Sequence, residues 1–182
     1  MSMHFRCVEI TDFEQVTSFY KYVIENTEDM KLYARWVYGQ HPTDEMIEKY
    51  IQQGAMYVLE DGDVIVAAMA VTMSQGDDYH SIQWSVPLED VEVAVVHILC
   101  VNPDYQKQGI GKRMIQESVA LAEEWEKKAV RLDALASNQP AHRMYGMLGF
   151  ELRGIQNLYA ENTGWTDFLF FEYVKCQKFG LN

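Results

Sequence analysis

The sequence predicts a single domain of the α+β (mixed α/β) class, built on a mixed sheet of about seven strands with helices on both faces. Three observations carry this expectation. Residues 91–101 are a nearly continuous apolar run, the pattern of a central strand buried on both faces. Two strand-like runs at 55–60 and 64–73 meet at Asp61-Gly62, a strong hairpin turn, which makes that pair antiparallel. An amphipathic helical pattern from about 109 to 127 then separates the run at 91–101 from another apolar run at 129–135, the layout of a crossover connection. Hairpins and crossovers in one chain give a mixed sheet.

Residues 3–10 alternate loosely and read as the first strand. Asp12 stands where it can cap a helix whose apolar positions are Phe13, Val16, Phe19, Tyr20 and Val23. Residues 26–42 are irregular and aromatic. Thr43 opens the capping signature of a second helix with Met46, Ile47, Tyr50 and Ile51 on its apolar face, and Gly54 stops it. After the hairpin, residues 74–90 form a long polar connection holding Tyr79, His80 and Trp84, and connections of that length are often functional. The strand at 91–101, the helix at 109–127 and the strand at 129–135 follow. A short helix covers about 140–148 and ends at Gly149, and strands at about 150–160 and 167–175 complete the chain. No internal repeat or linker divides residues 1–182, so one domain is expected to span them.

The length suits one domain with a full core. A net charge of −12 argues against general binding to DNA or RNA, whose phosphates it would repel, and is compatible with a cationic small substrate. No apolar run approaches ~20 residues, so neither a transmembrane helix nor a membrane partner is expected. Met1-Ser2-Met3-His4 lacks the basic-then-apolar start of a signal peptide. Cys7, Cys100 and Cys176 are odd in number, far apart and set in apolar runs, which reads as free, buried thiols of a cytoplasmic protein. No metal site is expected.

The stretch Val101-Asn102-Pro103-Asp104-Tyr105-Gln106-Lys107-Gln108-Gly109-Ile110-Gly111-Lys112-Arg113 carries the functional signal. A strand ends, a polar turn follows, and two glycines open an amphipathic helix. Free N–H groups and the helix dipole there favour an anion, which points to a phosphorylated cofactor. Gly109 and Gly111 lack Cβ atoms, so a ligand can approach the backbone closely. A Walker loop is excluded, because Arg113 follows Gly111-Lys112 where a hydroxyl is needed and position 106 is not glycine. A dinucleotide loop finds two of its glycines, has Met114 in place of the third, and finds an acid in Asp133 about 20 residues on, so an NAD-dependent oxidoreductase stays open as an alternative.

Gln106-Lys107-Gln108-Gly109-Ile110-Gly111 resembles the acetyl-coenzyme A loop of the GNAT superfamily, the GCN5-related N-acetyltransferases, with its pattern Gln/Arg-x-x-Gly-x-Gly/Ala. Asn138-Gln139-Pro140-Ala141-His142-Arg143-Met144-Tyr145-Gly146-Met147-Leu148-Gly149-Phe150 resembles a second segment of that family, Asn-x-x-Ala-x-x-Leu-Tyr-x-x-x-Gly-Phe, with Met144 at the leucine. The order of elements matches too, and implies a mostly antiparallel sheet.

The resemblance implies acetyl-coenzyme A as cofactor and transfer of an acetyl group to a primary amine, of a small acceptor, by direct attack on the thioester. Backbone N–H groups of Gln106, Lys107, Gln108, Gly109, Ile110 and Gly111 would hold the pyrophosphate, with Lys107, Lys112 and Arg113 adding charge. Ile98, Leu99 and Val101 would offer backbone groups to the pantetheine arm where their strand parts from the strand at 130–135. Backbone around 98–99 would help hold the developing oxyanion. Asn138 would contact the arm while also capping its helix. Tyr145 matches the tyrosine that protonates the leaving thiolate.

An amine of pKa ~10.4 needs a route for its proton, and His97 is the candidate base, with Glu92 or a water relay as alternatives. Cys100, among apolar neighbours, reads as core. Trp36, Tyr38, Trp84, Tyr159 and Phe168 are candidate walls for the acceptor. A non-catalytic acyl-coenzyme A sensor remains a further alternative. A homodimer is compatible with the resemblance.

Overall fold

The computed structural model describes residues 3–175, in which seven strands form one sheet of order β1-β2-β3-β4-β5-β7-β6. β1 (His4–Cys7), β2 (Met56–Asp61), β3 (Val64–Thr72) and β4 (Val93–Val101) are successively antiparallel. β4 and β5 (Ala129–Leu135) are parallel, and α3 (Ile110–Glu124) is their crossover. β7 (Gly164–Val174) lies between β5 and β6 (Glu151–Ala160), antiparallel to both. The mixed, mostly antiparallel α+β sheet is therefore as expected.

The helices divide between the two faces as their apolar stripes require. α1 (Phe13–Asn26) and α2 (Asp44–Gln52) bury Val16, Phe19, Tyr20, Val23, Ile47 and Ile51 against Val58, Ala68, Ala70, Ile98 and Cys100. α3 and α4 (Gln139–Met147) cover the opposite face, where Ile110, Met114, Ile115 and Tyr145 meet Leu59, Val66, Val96, Leu132 and Phe171. Residues 74–90 continue the α1–α2 layer over the far half of the sheet, packing Tyr79 and Ile82 on Val93, Val95 and Phe170. No helix of the described residues is long and apolar enough to cross a membrane.

Four local expectations need correction. The first strand stops at Cys7, because Ile10–Asp12 wind into a 3-10 turn in which Glu9 and Asp12 cap each other. Asp12 therefore stands at the N-cap of α1 without capping it; its carboxylate accepts from the Arg6 guanidinium at 2.7 Å and from Glu9 N at 2.9 Å. The hairpin turn is one residue later than expected: Asp61 still pairs with Val64, so Gly62 and Asp63 form the loop, with Gly62 at φ +63°. Cys7 is exposed, since it ends a strand at the sheet edge; Cys100 is buried, and Cys176 lies outside the described residues. Thr43 does cap α2, accepting from Met46 N.

Candidate active site

The site begins where β4 leaves β5. Their pairing runs from Val93 opposite Ala129 to Val96 opposite Leu132. Past that point β4 stays on β3 as far as Val101, while β5 stays on β7 as far as Leu135. The strands thus part into a wedge. A β-bulge on the β3 side accompanies the parting: Ala68 faces Cys100 and Ala70 faces His97, so Met69 alone stands opposite Ile98 and Leu99. Ile98 takes φ +44°, a rare conformation for a β-branched residue.

The buried Tyr20 hydroxyl donates to the Ile98 carbonyl at 2.9 Å and holds the bulge from α1. That carbonyl is therefore engaged inside the protein, so of the backbone groups that Ile98 is expected to offer, the C=O already has a partner. Leu99 and Val101 remain half-buried along the wedge.

At the mouth of the wedge, Pro103–Tyr105 form a 3-10 turn whose N-cap Asn102 accepts from Asp104 N. Residues 106–109 follow, all exposed, with Lys107 at φ +62° and Gly109 at φ +79°. Helical bonding in α3 starts with Arg113 N donating to Gly109 O, so the amides of Ile110, Gly111 and Lys112 precede any helical acceptor. They form a helix N-terminus suited to a phosphate.

The two glycines differ in purpose. Gly109 supplies the left-handed conformation, and nothing would touch a Cβ there. A Cβ on Gly111 would lie 3.3 Å from Met144 Sδ and 3.7 Å from Val101 Cγ2, so its bare backbone makes room for α4. Arg113 also departs from expectation: its guanidinium donates to Met3 O and lies 3.5 Å from Glu117 on its own helix. Lys107 and Lys112 are exposed.

Behind the wedge lies a cavity of about 570 Å³ lined by Ile98, Leu99, Asn138, Tyr145, His97 and Asp133, with Trp36, Tyr159 and Phe168 further out. Asn138 caps α4, its Oδ1 accepting from Ala141 N at 3.4 Å. Tyr145 leans edge-on against Phe171 on the α3–α4 face and reaches the cavity through the wedge. Burial, with Asp133 nearby, raises its phenol above the usual range, so the hydroxyl stays protonated.

His97 faces the other layer, its ring stacked on Tyr50 at 5.4 Å. Its Nε2 lies 3.0 Å from Thr72 Oγ1, and that hydroxyl donates its proton to Ser74 O. Thr72 must then accept from His97, which fixes the Nε2–H tautomer and leaves Nδ1 as the basic nitrogen. Burial, then the proximity of His41, lowers the imidazole to about 4. Glu92 is ruled out as its substitute: it precedes β4 at the paired end of the sheet and is held by Lys128 and by Glu89 N.

Two of the expected acceptor walls are not in the cavity. Tyr38 turns outward, donating to Asp44 with Lys21 over its ring. Trp84 is used internally, stacked between the Arg131 guanidinium (4.0 Å) and Tyr79 (5.8 Å), with its indole N–H on Tyr79 O.

That stack belongs to a group the sequence reading passed over. Arg131 and Glu172 form a buried ion pair at 2.8 Å across β5 and β7, and Arg131 also donates to Gln75 and Val86 O. Ser85 donates to Glu172 through both N–H and hydroxyl. Residues 75–86 are thereby tied to the sheet, and Tyr79 is carried to Asp133, donating to its Oδ1 at 2.5 Å. Desolvation raises the Asp133 carboxyl against this bond. The sequence did hold a signal: Arg131, with Asp133 two residues on, and Glu172 interrupt apolar strand runs, and buried charges must be paired.

Comparison with known proteins adds three findings. The family model for the Acetyltransferase (GNAT) family matches residues 18–150. Among curated proteins, an uncharacterized N-acetyltransferase of Methanocaldococcus jannaschii is 34% identical over 68 residues, covering 37% of this chain and 30% of that protein. The [ribosomal protein bS18]-alanine N-acetyltransferase of Escherichia coli is 34% identical over 76 residues, covering 40% of this chain and 49% of that enzyme. The chain thus spans less than half the length of these curated relatives. Among solved structures, a Salmonella typhimurium protein assigned as an acetyltransferase and solved with its cofactor acetyl-CoA superposes with TM-score 0.70 at 16% identity, over 97% of this chain and 96% of that one. A GNAT-family acetyltransferase of Streptococcus pneumoniae gives TM-score 0.70 at 16% identity, over 96% and 100%.

Proposed function

This chain belongs to the acetyltransferase (GNAT) family, and from that premise we propose that it transfers an acetyl group from acetyl-coenzyme A to the primary amine of a small acceptor. The observation that carries the reading is the parting of β4 from β5 after Val96, with helix-start amides at its mouth and Tyr145 on its wall. The residues present fit the cofactor: amides in 106–112 suit a pyrophosphate, and the parted strands leave backbone near Leu99 and Val101 for an extended arm. Asn138 borders the same space. The dinucleotide alternative is set aside, because Met114 is core and Asp133 is engaged by Tyr79.

Acetyl-coenzyme A supplies a thioester that a free amine attacks directly, with release of a thiol. The Tyr145 hydroxyl donates a hydrogen bond toward the departing sulfur. His97 receives the amine proton at Nδ1; with its pKa held near 4 it passes the proton onward to water instead of storing it.

The test is thermal stability with acetyl-coenzyme A, coenzyme A and NAD, followed by thiol release with amines. A ligand at ~100 times its dissociation constant adds about 2.7 kcal/mol, a visible shift. Shifts with both coenzyme A species and turnover of an amine support the proposal. Shifts without turnover of any amine make the protein a binding module. No shift overturns the cofactor assignment.

A further inference from the structure

The cavity walls carry chemistry that selects among amines. Side chains of both acidic and aromatic kinds face the space, and among its lining residues there is no Lys or Arg. The carboxylates are Asp133, at the parted end of β5, and Asp78, on the rim. The two histidines in the wall, His41 and His97, are both held neutral by burial. Asp133 already accepts from Tyr79 at Oδ1, so the polar capacity left in the walls is its other oxygen and Asp78, acceptors suited to an amine N–H. The remainder is apolar ring surface from Trp36, Tyr50, Tyr159, Trp165, Phe168 and Phe170.

These walls are held in place. Asn162 Nδ2 donates to Arg35 O, and the Arg35 guanidinium donates to Thr163 O, tying the segment that carries Trp36 to the β6–β7 turn. Ser137 donates to Tyr33 O and ties the same segment to the start of α4.

We infer that the acceptor is a primary amine borne on an aromatic or similarly apolar body, with no carboxylate beside the amine. This rests on the acetyltransferase reading of the same site. A carboxylate on the acceptor would enter a space with two acids and no cation to pair it, and an unpaired buried charge is strongly disfavoured. A plain alkyl diamine would leave the ring surface unused and bring a second cation that only Asp78, on the rim, can meet. In the transfer the amine nitrogen forms a bond to the acetyl carbon, the carbon–sulfur bond breaks, and the thiol gains the equivalent of the proton the amine loses.

The experiment uses matched acceptors on the whole protein: phenethylamine and tryptamine, the corresponding phenylalanine and tryptophan, and butane-1,4-diamine. Binding is read from tryptophan fluorescence with coenzyme A absent and present, and kcat/KM from thiol release with acetyl-coenzyme A. The aromatic amines should exceed their amino acids by about a hundredfold or more in kcat/KM, and should exceed the diamine as well. Amino acids within tenfold of the amines, or a preference for the diamine, overturn the inference. So does failure of the aromatic amines to bind. If coenzyme A still raises the melting point in that case, the acetyltransferase reading stands and only the acceptor class falls. Binding of the aromatic amines with no coenzyme A shift gives the reverse result.

Discussion

Met144 Sδ lies 3.3 Å from the point where a Cβ on Gly111 would stand, so the two segments that carry the family resemblance touch each other inside the protein. Gly111 has an ordinary helical φ, and its neighbour is a flexible thioether. Gly111→Ala should therefore remain within about 1 kcal/mol of the parent, since gained helix propensity offsets a small shift of Met144. Gly111→Val adds bulk against Val101 as well and should lose about 1–3 kcal/mol. Urea titrations of the two variants decide it; equal losses would mean that the added bulk against Val101 costs nothing at this position.

Gly109 is the opposite case. No atom lies within 4 Å of its missing Cβ, and its φ is +79°. Gly109→Ala should cost about 1–2 kcal/mol from backbone conformation alone, and Gly109→Asn less, because asparagine tolerates the left-handed region. Acetyl-coenzyme A affinity should fall in the same order. Alanine as good as glycine by calorimetry would place the loop in another conformation when the cofactor binds.

Much of this site was legible in the sequence, and the parts that were not share a cause. The loop at 106–111 and the helix begun by Asn138 carry a local mark, because backbone geometry dictates their residue types, whereas Tyr145 is singled out only by the family resemblance. Tyr38 and Trp84 are expected as walls because they are aromatics of the irregular segments 33–42 and 74–90, and each has its polar atom satisfied elsewhere. The Ile98 bulge leaves no local mark, since its residues read as an ordinary apolar strand and its support comes from Tyr20, 78 residues away. Asp133 is marked in the sequence only by standing where a ribose-binding acid would. Its partner Tyr79 depends on a tertiary path through Arg131 and Trp84 that no spacing encodes.

That path has a testable consequence. Arg131 and Glu172 are buried, and removing Arg131 leaves Glu172 with the Arg153 guanidinium, 3.2 Å from its other oxygen, and with Ser85, while one oxygen of the buried carboxylate loses its cation. Arg131→Met should cost about 3–5 kcal/mol, and adding Glu172→Leu should recover part of that loss. The double variant should still lack the tie to Gln75 and Val86, so hydrogen exchange should quicken across residues 74–90. KM for the amine should rise more than KM for acetyl-coenzyme A, because Tyr79 and Asp133 face the acceptor side. Unchanged exchange in that segment would show that Tyr79 needs no support from Arg131.

Tyr145→Phe removes one hydroxyl and keeps the packing on Phe171. Turnover should fall about a hundredfold or more, with little change in coenzyme A affinity or in melting temperature. A loss confined to KM for acetyl-coenzyme A would make the hydroxyl a binding group and not a donor to the leaving sulfur.

The last prediction concerns acid. The His97 imidazole titrates at about 4 in the folded protein against 6.5 ordinarily, chiefly because burial disfavours its charged form. Below pH 6.5 the unfolded chain gains a proton that the folded chain refuses, so unfolding becomes easier as pH falls. The stability tied to His97 is fully present above about pH 6.5 and is lost progressively down to about pH 4, by at most about 3 kcal/mol at ~1.36 kcal/mol per pH unit. His41 and His142 shift in the same direction, so the wild type alone cannot assign the effect. His97→Gln keeps a donor for Thr72 and has nothing to titrate. Its urea midpoint should drop less than that of the parent between pH 7.5 and pH 5. Parallel drops would mean that His97 is protonated as readily folded as unfolded, and its place as a neutral proton acceptor in the cavity would go with that result.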